Sequence, residues 1–176
     1  MSMTGRKHLT AGIAIMATMA SPCYSELSGP GYSTIRSEVE RSKVVVTASV
    51  FDPYTSIDAA VFFQVTNNSD RPVAAGAPLE SLELTDKKGQ ACERTNVGRS
   101  LRFGFGHSPH ATIPPGASKT WKVRLSNFFE LHAEEWTLTF GMGATLEGAD
   151  GAPPEMLSFP IPPLKFHIVD ANHPKP

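Results

Sequence analysis

Hydrophobic residues recur at every second position in several stretches of this chain, and that period belongs to strands rather than helices. The clearest case is SKTWKVRLS, residues 118–126. Trp121, Val123 and Leu125 share one face there, and Thr120, Lys122, Arg124 and Ser126 the other. Val44, Val46, Ala48 and Val50 alternate in the same way against Lys43, Thr47 and Ser49. So do Ala59, Val61, Phe63 and Val65, then Leu82 and Leu84. Trp136, Leu138 and Phe140 follow, and Leu164, Phe166 and Ile168 close the series. No useful window carries apolar residues at helical spacing, apart from a turn over 127–135.

Turn chemistry separates these runs. NNSDRP at 67–72 is a dense cluster of turn formers, and DKKG at 86–89 reads as a hairpin turn. The chain spends 15 prolines and 14 glycines in such places. Short alternating strands and no helical repeat predict an all-β fold, an antiparallel Ig-like β-sandwich of about seven strands. Phe63, Trp121, Trp136, Phe140 and Phe166 are the expected core aromatics. The stretch 91–116 is the least regular. Leu101, Phe103 and Phe105 alternate like a strand, but the surrounding glycines favour an irregular crossover.

The first twenty residues differ from the rest. Arg6 and Lys7 precede an uncharged run, LTAGIAIMATMA at 9–20, that ends in small residues. That is the order of a secretory signal, and the run is too short to span a bilayer. The competing reading is a buried or amphipathic N-terminal helix. The expected organisation is a signal peptide at 1–20, cleaved near Ala20. A polar arm at 21–42, a β-sandwich domain at 43–170 and a flexible tail at 171–176 follow. The mature chain is then periplasmic or secreted. Cleavage removes two of the 16 basic residues and none of the 17 acidic ones, leaving a formal charge of −3. This balance offers no electrostatic case for nucleic acid, and no later segment has the length of a membrane span.

The chain has two cysteines, Cys23 and Cys92. In an oxidising compartment they are expected to form one disulfide, closing a loop worth about 4 kcal/mol in the chain-entropy model. Two free thiols are one alternative and lipidation of Cys23 another, the latter disfavoured by Pro22 directly before it.

A resemblance supports the same fold. IPPGASKTWKVRLSNFFELHAEEWTLTF, residues 113–140, and FFQVTNNSDRPV, residues 62–73, resemble stretches of exported Ig-like modules. Similar stretches occur in the β-sandwich propeptide of deuterolysin-type metallopeptidases and in BsuPI-type proteinase inhibitors. Ala133, Glu134 and Glu135 stand where that pattern usually has a glycine before the aromatic strand. The resemblance implies a fold and an inhibitory or accessory role, and carries over no functional residue.

Catalytic motifs are missing from the sequence. There is no HExxH, GxSxG, phosphate loop or dinucleotide fingerprint, so no enzyme and no cofactor are expected. His107 and His110 form an HxxH pair which, with a third ligand, would suit zinc or copper. The alternative is a pair of ordinary loop histidines. SGPGY at 28–32 matches the SGxxY string that lysozyme inhibitors present to their enzyme, five letters with two of them free. Asn67-Asn68-Ser69 fits a glycosylation acceptor and equally a turn. The remaining candidate surface is the glycine-rich stretch holding Arg94, Arg99, Arg102, Phe103, Phe105, His107 and His110. Arginine and aromatics in a long loop are what binding modules place at their contacts. The expectation is a non-catalytic module that binds a protein partner, as a proteinase inhibitor or accessory domain. A His-based metal-binding protein and a structural envelope component are the alternatives.

Overall fold

The computed structural model describes residues 31–54, 58–102, 110–149 and 151–169, with Arg102 described by its backbone alone. The described chain is an antiparallel all-β sandwich. Its first sheet has the order β1-β2-β3-β7, from Tyr32–Val39, Val44–Phe51, Ala60–Asn67 and Ser118–Arg124. The remaining strands, numbered in chain order, are β4 (Val73–Gly76), β5 (Glu83–Asp86), β6 (His110–Ile113), β8 (Glu134–Thr139), β9 (Met142–Leu146), β10 (Glu155–Phe159) and β11 (Leu164–Ile168). They form two sheets, ordered β10-β9-β4-β6 and β11-β8-β5. The chain runs through these in step: β4 leads into β5, β8 into β9, and β10 into β11. Together they make one layer broken across its middle. Short strands created by that break raise the count to eleven among the described residues.

The residues at the break explain it. Pro78, Pro160, Pro162 and Pro163 fall between the paired strands and have no N–H to donate to a ladder. Ser81 spans the gap, its hydroxyl donating to the Gly141 carbonyl at 2.8 Å and accepting the Gly141 N–H at 3.1 Å. Phe63, from the first sheet, meets Phe140 edge to face at 4.9 Å, so the break is filled from the opposite layer.

The inward faces are those the alternation predicts. Val44, Val61, Phe63, Val65, Leu125, Leu138 and Phe166 have no solvent exposure. The Asp86 turn is a hairpin. Its carboxylate accepts the N–H groups of Lys88 and Gln90, both at 2.8 Å, and Gly89 takes the left-handed φ of 79° that the turn requires.

Two expectations change. The sandwich begins at Tyr32, not at Lys43, because β1 lies within the supposed arm and pairs with β2 along its whole length. Its inward positions are Ile35, Ser37 and Val39. Ser37 is buried because its hydroxyl donates to the Pro160 carbonyl at 3.0 Å, which is why a polar residue interrupts the pattern. The second change is a short α-helix, α1, at Asn96–Arg102, where the alternation of Leu101 suggested a strand or crossover. Leu101 instead packs into the core from that helix.

Candidate functional site

The stretch chosen from sequence divides into a structural part and a part outside the described residues. Arg94 belongs to the first. Its guanidinium donates to the carbonyls of Leu82 and Gly98 and lies 5.1 Å from the Phe129 ring. Arg99 donates to the Arg94 carbonyl at 2.5 Å and to Asn96 Oδ1 at 2.6 Å, so it is tied to the start of its own helix. Phe103, Phe105 and His107 lie outside the described residues, as does the side chain of Arg102. His110 opens β6 and is exposed.

His110 does border a concavity. A groove of about 440 Å³ lies between β6 and β7, the edge strands of facing sheets. Six consecutive residues, 119–124, line it. Side chains of a strand alternate between faces, so a cavity touched by every residue must run along the strand's edge rather than over one face. Trp121, only 7% exposed, and Val123 contribute from the core side. His110, Ala111, Ala77 and Leu79 form the opposite wall, and Asn127 and Phe128 the end. A smaller depression of about 270 Å³ adjoins it through Ala77 and His110.

The groove's charge has one sign. Lys119, Lys122 and Arg124 line it, and among the described residues no Asp or Glu does. Lys122 Nζ sits 5.8 Å from the Phe62 ring. Arg124 faces Asp58 at 3.9 Å, with both side chains more than half exposed, a pairing too wet to neutralise it fully. Sequence reasoning treated residues 119–124 as plain in-and-out alternation. Their edge position depends on sheet order, which alternation does not encode.

Other polar groups are tied into the fold. Asp52 accepts the Ser33 hydroxyl at 2.9 Å on one oxygen; the other takes the His167 N–H at 2.9 Å and faces His167 Nδ1 at 3.1 Å. Burial pushes the Asp52 pKa up, but these bonds from His167 and Ser33 outweigh it and hold the group below its ordinary 3.8. Serine and histidine both bond to the carboxylate and not to each other, so this cluster lacks the hydroxyl–imidazole contact of a nucleophile–base pair. His132 packs its ring edge-on to Trp136 at 4.9 Å, and its carbonyl accepts the indole N–H at 3.1 Å. Among the described residues no three His, Cys, Asp or Glu side chains gather as a metal site, and no helix is long and apolar enough to cross a membrane.

Asn67 is a turn residue rather than an acceptor for sugar. It is fully buried, and its amide donates to the carbonyls of Arg71 and Ile113, both at 2.9 Å. Its oxygen accepts from the backbone and hydroxyl of Ser69. Cys92 is a free thiol among the described residues, half-buried and 3.4 Å from the Glu130 carbonyl. Burial, followed by the carboxylates of Glu130, Glu93 and Asp86, pushes its pKa up to about 11. Its expected partner Cys23 lies outside the described residues, as do Ser28, Gly29 and Pro30 of the SGxxY string.

What the geometry defines is a class: an all-β sandwich with a basic groove along one flank. No family model and no curated protein matches the chain. Among solved structures it is similar to the X-ray structure of Northeast Structural Genomics Consortium target SoR45. The two share 12% identity, the match covers 78% of this chain and 83% of that one, and the TM-score is 0.37.

Proposed function

We propose that this chain is an exported, non-catalytic binding module that recognises a protein partner, as an inhibitor or accessory domain, and does so along its β6–β7 flank. The observation that carries the reading is the groove itself. It exposes a strand edge between two sheets and sets an apolar wall beside charged side chains, the arrangement of apolar core and polar rim that protein contacts use. The contact surface moves accordingly, from the Arg94–Arg99 region to residues 119–124. The signal-like order of residues 1–20 supports export with cleavage near Ala20, and N-terminal sequencing of the mature protein tests that step.

Export also supplies the setting for a Cys23–Cys92 bridge. Gly31, eight residues after Cys23, is bonded to Asp52, and Tyr54 pairs with β11 at one side of the third sheet. Ala91 pairs with Thr85 of β5 at the other side. Four strand spacings cross that sheet in about 19 Å, and eight extended residues reach up to about 28 Å. Thiol counting on unreduced, denatured protein should find none, and two would remove the bridge.

The binding reading is tested by passing envelope extract and culture fluid from the host over immobilised mature protein and a Lys122→Glu variant. A stoichiometric partner retained by the first and lost from the second supports it. Recovery of no such partner, or of one indifferent to the substitution, defeats it.

A further inference from the structure

We infer that the partner is held by strand addition: an extended acidic segment pairs with the open edge of β7. This rests on the binding reading above and states its chemistry.

The backbone argument comes from bonds at the two ends of β7. Asn67 N–H donates to the Ala117 carbonyl at 2.9 Å, and Leu125 N–H donates to the Ala59 carbonyl at 2.8 Å. The register between them is unbroken, with Phe63 opposite Trp121. An antiparallel ladder alternates the direction of its amides with period two. Lys119, Trp121 and Val123 therefore direct their amides at β3, while Thr120, Lys122 and Arg124 direct theirs into the groove. Among the described residues no backbone bond reaches those three. They span about 14 Å, enough to register a segment of about five residues.

Charge selects the occupant. Lys119, Lys122 and Arg124 border the open edge, and among the described residues no carboxylate joins the lining. A second copy presenting the same edge would set cations opposite cations, which disfavours self-pairing and keeps the edge from aggregating. An acidic strand turns that repulsion into attraction. The alternating side chains of such a strand would meet the apolar wall at Leu79 and Ala111 on one face and Lys122 and Arg124 on the other.

The test uses the whole mature protein and a short blocked peptide alternating valine with glutamate. Amide exchange read by NMR should slow roughly tenfold or more at Thr120, Lys122 and Arg124 when the peptide saturates. The same peptide with lysine for glutamate should give no protection. A version N-methylated on the amides that face β7 keeps the charge but removes the donors, and should lose at least tenfold in affinity. Lys119→Glu together with Lys122→Glu should weaken binding by about tenfold, roughly 1.4 kcal/mol. Protection elsewhere, equal binding of the N-methylated or lysine peptide, or equal binding of an oligothymidylate, each overturns strand addition. If the peptide gives no protection while the immobilised protein still retains a Lys122-dependent partner, strand addition fails and the binding reading stands.

Discussion

On the flank formed by β1, β10 and β11, side chains of one layer bond across to the other. Ser37 reaches the Pro160 carbonyl, Arg41 meets Glu155 at 3.1 Å, and Asp52 gathers Ser33 and His167. Tyr54 adds a bridge to Ile168. The β6–β7 flank is joined differently. At one end Asn67 ties the turn after β3 to Ile113. At the other, Thr95 N–H donates to the Phe128 carbonyl at 3.1 Å, Glu130 N–H to Glu93 at 2.9 Å, and Arg94 lies over Phe129. The groove lies between. One flank is stitched along its length and the other pinned at its ends, which leaves a strand edge exposed without loosening the fold.

The largest effect should come from removing a pin. Asn67→Ala deletes bonds to two carbonyls and two Ser69 donors at a site with no exposure. The expected loss is about 3 kcal/mol in urea unfolding. Amide exchange should rise first at the β6–β7 turn, not along β1. A uniform rise would mean the flanks are not independent. Arg94→Ala should follow at about 2 kcal/mol, since it strips two carbonyls of a charged donor and uncovers Phe129. A change within experimental error would return Arg94 to the list of partner contacts.

Asp52 tests the stitched flank and adds a pH signature. Its folded pKa is depressed, so its contribution is fully present above the ordinary 3.8 and is lost as pH falls through the lower folded value. At neutral pH Asp52→Ala should cost about 2 kcal/mol. The gap between wild type and variant should narrow as pH falls below 3.8 and through the lower folded value. A gap that stays constant with acidification would mean the carboxylate's charge is not what holds His167 and Ser33.

How much of this was legible in the sequence differs by element. Trp121, Val123 and Leu125 alternate with polar residues because one face of β7 is dry, and the pattern alone identifies them. β1 was hidden because Ser37 occupies an inward position, made tolerable by a carbonyl more than a hundred residues away. The broken layer was hidden because its strands line up across the break only in three dimensions. Arg94 takes a second role for a related reason. Composition marks arginine near aromatics as contact-prone, and here the aromatic is the chain's own Phe129. The groove was legible only in part. Lys122 and Arg124 were visible on the outward face of one strand, but an edge is a property of sheet order.

The smallest expected effect bears most directly on function. Lys122→Ala removes a side chain whose described contact is the Phe62 ring at 5.8 Å, a cation–π pair at an exposed site. Such a pair is worth about 0.5 kcal/mol. Urea unfolding should therefore shift by no more than about that amount, against the several-fold larger losses at Asn67 and Arg94. If Lys122→Ala costs as much as a pin, β7 relies on that lysine for its own stability, and the groove is part of the scaffold. If stability holds while affinity for the valine–glutamate peptide falls, the pins and the edge have separate tasks. The scaffold then keeps β7 straight, and the charges at its edge choose what pairs with it.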